Sequence, residues 1–434
     1  MMLSFKELLA QQPKWLEANL SYKSNNVAGR LTRVCLALCG VTLASLTLPV
    51  NAQTSAPTRS AVPFYSAEQA MTGVYAYHLP PLSTRFVAEA DALVAATDQY
   101  CQALPTLAAS FSPQQAAWAP LHAQWQHTMV AWESLSTPAI GPVVLRRSQR
   151  QIDFWPTRPE LINKALVNAP QTLADMERVG TLAKGLPAME LLLAQWRPTA
   201  PGRVRAFDGR APQRGKPLPE LPYVPPTMPA ATCHYLSLLA EGIQVESHEL
   251  KADLDTWATK DWSASPEDTG AAMAEWVNQW LAGVERLRWA HLEKPIKANQ
   301  TMGNAMKGNP THFARIGRDA NLASWRAQWH SLQTQAGMTP AQYQSPPQPA
   351  QALLPIEALL LGKGHMALAQ RWAKALDAVS VRMDKLLPTA PSRVAEQREL
   401  LALTQALKAV TVLYQGEVAS ALDIPLGFSD ADGD

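Results

Sequence analysis

The sequence lacks the signatures of the common enzyme classes. It has no glycine-rich phosphate loop, no serine-protease elbow and no pair of histidines one turn apart on a helix that would hold zinc. Charged residues make up only 17% of the chain and nowhere form a basic cluster, so there is no electrostatic footprint for nucleic acid. Alternating strand patterns are missing too, which leaves an all-α fold as the expectation. Beyond residue 52 no apolar run is long enough for a bilayer, so no transmembrane span is expected in the mature chain. Cysteine is scarce. Of four, Cys35 and Cys39 lie in the leading segment, and Leu38 before Cys39 fits a lipid-attachment box poorly. Cys101 and Cys233 remain, either as a disulfide in a compartment that permits one or as two separate buried thiols.

What is present is hydrophobic and helical. The 434 residues are 47% hydrophobic, enough for a sizeable core. Arg30 and Arg33 precede an apolar run from Val34 to Leu48, and small residues at Val50 and Ala52 fit a secretory cleavage site. Cleavage after Ala52 is therefore expected, with export to the periplasm by the general secretory route. Residues 1 to 29 form an unusually long n-region, and Val27 is an alternative start. Removing residues 1–52 takes away five basic and two acidic side chains, turning the net charge from +2 to −1.

The mature chain divides into a linker (53–65), an N-terminal helical bundle (66–196), a connection (197–230) with nine prolines and three glycines, and a C-terminal helical bundle (231–434). A capping box at Ser66 opens a short helix that Pro80-Pro81 should end. Later helices are expected over about 83–104, 112–135, 159–168, 171–179, 187–196, 231–260, 267–293, 319–336, 356–387 and 393–422. Two echoes suggest an internal duplication. Ala123-Gln124-Trp125 recurs as Ala327-Gln328-Trp329, and Leu186-Pro187 before Glu190 and leucines recurs as Leu354-Pro355 before Glu357 and leucines.

The most informative stretch runs from Lys184 to Trp196, where Gly185 breaks the preceding segment, Pro187 suits a first helical turn and Glu190 is the one acid among leucines. Two readings of Glu190 stand side by side. A carboxylate in the first turn complements the helix's positive end. A carboxylate beside Leu191, Leu192 and Leu193 instead points into an interface and binds something, since such groups are seldom buried unpaired. The polar stretch 299–318, with Lys307, His312, Arg315 and Arg318, is either a solvated loop or one that reaches into a site. His122, His127 and His248 read as solvated helix residues, and the fourteen tryptophans read mainly as core. The ending Asp430-Ala431-Asp432-Gly433-Asp434 mimics half of a calcium loop but lacks its bidentate glutamate, and is read as a structured terminus.

Three segments carry a family resemblance: Arg147 to Pro156 with its Asp153-Phe154-Trp155-Pro156 core, Gly185-Leu186-Pro187-Ala188-Met189-Glu190, and the ending from Pro425 to Asp434. Together they resemble the imelysin-like family of bacterial envelope proteins over nearly the whole mature chain. The resemblance implies two helical bundles with a site at their interface, a periplasmic or outer-membrane location and an association with iron uptake. It also implies a ligand site drawing on Gly185, Glu190, Arg147, Asp153 and Trp155. The family carries a metallopeptidase label and a G-x-H-x-x-E motif, but Pro187 stands here at the histidine position. Zinc hydrolysis is accordingly disfavoured. The function expected is binding of a small ligand or metal, with iron or haem as the candidate cofactors. A metallopeptidase and a scaffold for another envelope protein are the alternatives.

Overall fold

The computed structural model describes residues 61–107, 110–198, 228–301, 313–387 and 393–427. The expected signal peptide, most of the linker and the connection, Lys307, His312 and the acidic ending lie outside the described residues. Among the described residues every regular element is a helix.

The Ser66 capping box forms as expected, with the Ser66 side chain accepting from Gln69 and the Gln69 side chain accepting from Ser66. Helix α1 (Ala67–Thr72) does not stop at the prolines. It passes through a π-helical turn, Gly73–His78, straight into α2 (Leu79–Ala103). Pro80 and Pro81 fall in the first turn of α2, where the wider π turn has already shifted the hydrogen-bonding pattern and their missing N–H groups cost little. α3 (Phe111–Leu135) returns beside α2, and the short helices α4 (Pro142–Leu145), α5 (Ser148–Ile152), α6 (Pro159–Asn168) and α7 (Leu173–Met176) lead to α8 (Gly185–Gln195). After the connection, α9 (Ala230–Ala258) packs along α2 and α8. The division at residue 230 therefore does not follow the packing: α9, placed by sequence in the second bundle, completes the first.

The second bundle comprises α10 (Pro266–Glu285), which continues through a π turn (Arg286–Glu293) into α11 (Lys294–Thr301), then α12 (Arg318–Ala336), α13 (Pro340–Gln344), α14 (Ile356–Gly362), α15 (Met366–Asp384) and α16 (Arg393–Leu413). A third π turn, Tyr414–Val418, leads into α17 (Ala419–Ala421). The single helix expected over 356–387 is two helices, because Gly364 adopts a φ of 83° between them. α12 packs against α3, joining the bundles.

Buried tryptophans tie the layers together, as the core reading anticipates. Trp118 and Trp125 of α3 donate to the Leu193 and Leu186 carbonyls of α8 at 3.1 and 2.9 Å. In the second bundle Trp280 donates to the Leu332 carbonyl and Trp372 to that of Ala336, both at 2.9 Å, and Trp280 stacks on Tyr414. Each indole buries its ring and satisfies its N–H. The echoed words occupy comparable places: α8 packs on α3, which carries Trp125, and α14 packs on α12, which carries Trp329.

Cys101 and Cys233 are joined in a disulfide between the end of α2 and the start of α9, with Cα atoms 5.8 Å apart across 132 residues of sequence. The open choice between a bond and two thiols is thus resolved towards the bond.

Candidate functional site

The site grows from one close contact. Gly185 has a φ of 69°, and a Cβ placed on it would lie 2.2 Å from the Ile152 carbonyl oxygen. Only glycine lets the start of α8 press against the end of α5 in this way. The contact sets Asp153, the residue closing α5, beside α8. It also moves the helix start two residues ahead of Pro187. Glu190 is then the sixth residue of α8 and lies past the first turn, so the helix-start reading of its charge does not hold.

Glu190 is only 5% exposed. Its Oε1 accepts the Ile316 backbone N–H at 2.7 Å, from the segment that enters α12. Burial pushes its carboxyl up to about 7. The Arg315 charge and the Ile316 and Gly317 N–H groups oppose the shift, and the negative Asp153 adds to it. Near neutral pH the group is therefore divided between its two protonation states.

Arg315 is the hub. Its guanidinium, 2% exposed, makes a two-pronged contact with Asp153 at 2.8 and 2.5 Å and also donates to Glu133 at 2.8 Å. Burial works against the charge, but Asp153, Glu133 and Glu190 together hold Arg315 above its usual value. Asn321 fixes the backbone here, accepting from the Arg315 N–H at 3.0 Å and donating to its carbonyl at 2.7 Å. Glu133 also accepts from Ser324 at 2.6 Å, and the Gln328 amide donates to Ser324 at 3.0 Å and to Nδ1 of His291 at 3.2 Å. Burial, with Arg286 and Arg315 nearby, drives His291 down to about 3, so the ring is neutral. Acids from the first bundle thus meet a base and amides from the second.

Beside Glu190 lies a cleft of about 400 Å³ lined by Trp155, Pro187, Leu191, Phe313, Ile316 and the rim cation Lys294, among others. Trp155 is 38% exposed there. Glu190 is the only acid among the described residues of the lining. A mainly apolar cleft with one titratable carboxyl suits an organic ligand with an apolar body and a polar handle.

Of the five residues expected at the site, four converge: Gly185, Asp153, Glu190 and Trp155. Arg147 does not line this cleft. It is exposed, takes a φ of 57° ahead of α5, and lines a different one. The guanidinium among the buried acids is Arg315. The polar stretch 299–318 was the available signal for it, and the solvated-loop reading fails at this residue because three carboxylates surround it. Glu133, Ser324, Gln328 and His291 had no comparable signal, being single polar residues on otherwise regular helices. His248 reaches across to Asp91 at 2.8 Å on the surface, and His122 stacks on Trp118, so neither joins the site.

The residues do not fit a zinc centre. Among the described residues no three His, Cys, Asp or Glu side chains are grouped to hold a metal ion. Glu190 is already engaged with backbone N–H, and the neighbouring helix position is Pro187.

No curated protein matches the chain. Two solved structures resemble it closely enough to fix the fold. An imelysin-like protein from Psychrobacter arcticum superposes with a TM-score of 0.60 at 17% identity, over 85% of this chain and 99% of that one. A protein from Parabacteroides distasonis, described as an iron-regulated protein A precursor, does so with a TM-score of 0.58 at 14% identity, over 84% and 98%. The imelysin model, whose label places it among peptidases, matches residues 77–421, most of the chain including every group of the buried network, and the protein belongs to the imelysin family.

Proposed function

We propose that this protein is a binding protein of the bacterial envelope, linked to iron or haem acquisition, which holds its ligand in the Glu190 cleft where the two bundles meet. The observation that carries the reading is a buried carboxyl with a pKa of about 7 opening on an apolar cleft beside a half-exposed tryptophan. Such a group donates a hydrogen bond when protonated and accepts or attracts a cation when ionised, so it recognises a ligand's polar end while Trp155 and Phe313 cover its apolar body. The iron link rests on the family and on the iron-regulated name of one structural relative. The periplasmic location is supported by the Cys101–Cys233 bond, which persists in an oxidising compartment, and by the leader pattern ending at Ala52. Pro187 at the place of the family motif's histidine, and Glu190 engaged with the Ile316 N–H, favour binding over peptide hydrolysis. Burial of the tryptophans as packing elements weakens the scaffold alternative.

The test is mass spectrometry and metal analysis of the purified mature chain, followed by titration of intrinsic fluorescence with haemin and with ferric citrate. Saturable binding of one probe, weakened at least tenfold in Glu190→Gln and Trp155→Ala, is the expected outcome. If neither probe binds, or both variants bind as the parent does, the reading is wrong.

A further inference from the structure

A second cleft, of about 570 Å³, lies between the first bundle's α4–α5 segment and the second bundle's α10 with the π turn that follows it. Three guanidinium groups, those of Arg147, Arg150 and Arg286, line it, and among the described residues no acidic side chain does. We infer that this cleft is a separate binding site for a small molecule carrying phosphate or carboxylate groups.

Four observations carry the inference. First, the two exposed arginines are uncommitted. Elsewhere Arg146, Arg288, Arg315 and Arg371 all meet carboxylates, whereas Arg147 and Arg150 have no ion-pair partner among the described residues. Second, Arg286 is held inward with two long hydrogen bonds from Nη2, to the Ser136 carbonyl at 3.4 Å and the Thr137 hydroxyl at 3.5 Å, and feels the charges of Glu133 and Asp153 without pairing with either. Its remaining donors have no contact of their own among the described residues. Third, Arg147 sits at a φ of 57°, a left-handed conformation that few non-glycine residues adopt. That backbone holds the residue at the cleft wall just ahead of α5. Fourth, the walls come from both bundles and are tied together close by, where the Gly141 N–H donates to both oxygens of Glu275 at 3.2 Å.

Planar guanidinium forks match the paired oxygens of carboxylate and phosphate groups, and the positive charge of the described lining repels cations. The amides of Gln149 and Gln279 add neutral donors along the same walls. A volume of this size admits a small molecule with two or three anionic groups. The site does not involve Glu190 or Trp155 and stands independently of the ligand proposed for them.

The experiment is isothermal titration calorimetry of the mature chain with inorganic phosphate, pyrophosphate and citrate at constant ionic strength, with chloride as background. Pyrophosphate or citrate is expected to bind at least tenfold more tightly than inorganic phosphate, and whichever binds tighter identifies phosphate or carboxylate as the group recognised. Arg147→Gly with Arg150→Gln should weaken that binding at least tenfold. Both residues are exposed and glycine suits the backbone at 147, so the double variant should melt with the parent. Arg150→Gln alone provides a milder version. Binding of no anion above the chloride background, or unchanged binding in both variants, overturns the inference.

Discussion

Replacing Glu190 by glutamine tests the electrostatics of the buried network directly. The amide keeps an oxygen to accept the Ile316 N–H and keeps the shape of the side chain, but it does not titrate. The folded carboxyl has a pKa of about 7 against an ordinary value of 4.5. Because the folded value is the higher one, the group's contribution to stability is fully present below about pH 4.5 and is lost as pH rises through about 7. At about 1.36 kcal/mol per pH unit the whole effect is about 3 kcal/mol, of which about 2.5 kcal/mol falls between about pH 5 and about pH 8. The parent should therefore lose about 2.5 kcal/mol relative to Glu190→Gln across that interval, with the variant becoming the more stable protein at alkaline pH. Urea unfolding of both proteins in matched buffers measures the difference, and comparing them cancels every other titrating group. A difference that does not change with pH would show that Glu190 ionises normally, and the account of a desolvated, divided carboxyl would fall.

Three further outcomes follow from the same geometry. Arg315→Met leaves Glu133 and Asp153 buried without their shared partner and should cost about 3 to 5 kcal/mol in urea unfolding; a loss below about 1 kcal/mol would mean the pairing contributes little. Gly185→Ala drives a Cβ into the Ile152 carbonyl at a positive φ and should cost about 2 to 3 kcal/mol, whereas a neutral result would show that α8 can start elsewhere. Cys101→Ser with Cys233→Ser opens a closure of 132 residues worth about 5 kcal/mol in the chain-entropy picture, so the melting temperature should fall sharply and stop responding to reductant. Retained reductant sensitivity would contradict the bond.

Much of this was legible in the sequence, and the misses have physical causes. Helical periods and the Ser66 capping box marked the elements well because each is a local property. Pro80-Pro81 misled because a π turn just ahead of them changes which carbonyls await a donor, and that turn has no local signature. The place of α9 also escaped, since a helix of 29 residues reads the same whichever bundle it joins. Gly185 and Glu190 stood out because a glycine and an acid are conspicuous beside leucines. Arg147 lies in the same family-like run as Asp153 and Trp155, yet proximity in sequence does not become proximity in space. Arg315 reaches Asp153 from 162 residues away, a pairing that no spacing rule encodes.

The disulfide has a topological consequence for how this network assembles. Glu133, Asp153 and Glu190 all fall between Cys101 and Cys233, so the bond encloses every acid of the cluster within one covalent ring. Arg315, Ser324, Gln328 and His291 are supplied from outside it. The three acids therefore lie on one side of the ring closure and the guanidinium that pairs with Glu133 and Asp153 on the other. Docking of the two halves is then a neutralisation as well as a packing event. Arg315 follows all three acids in the chain, so the cluster meets its guanidinium only once the segment entering α12 is in place.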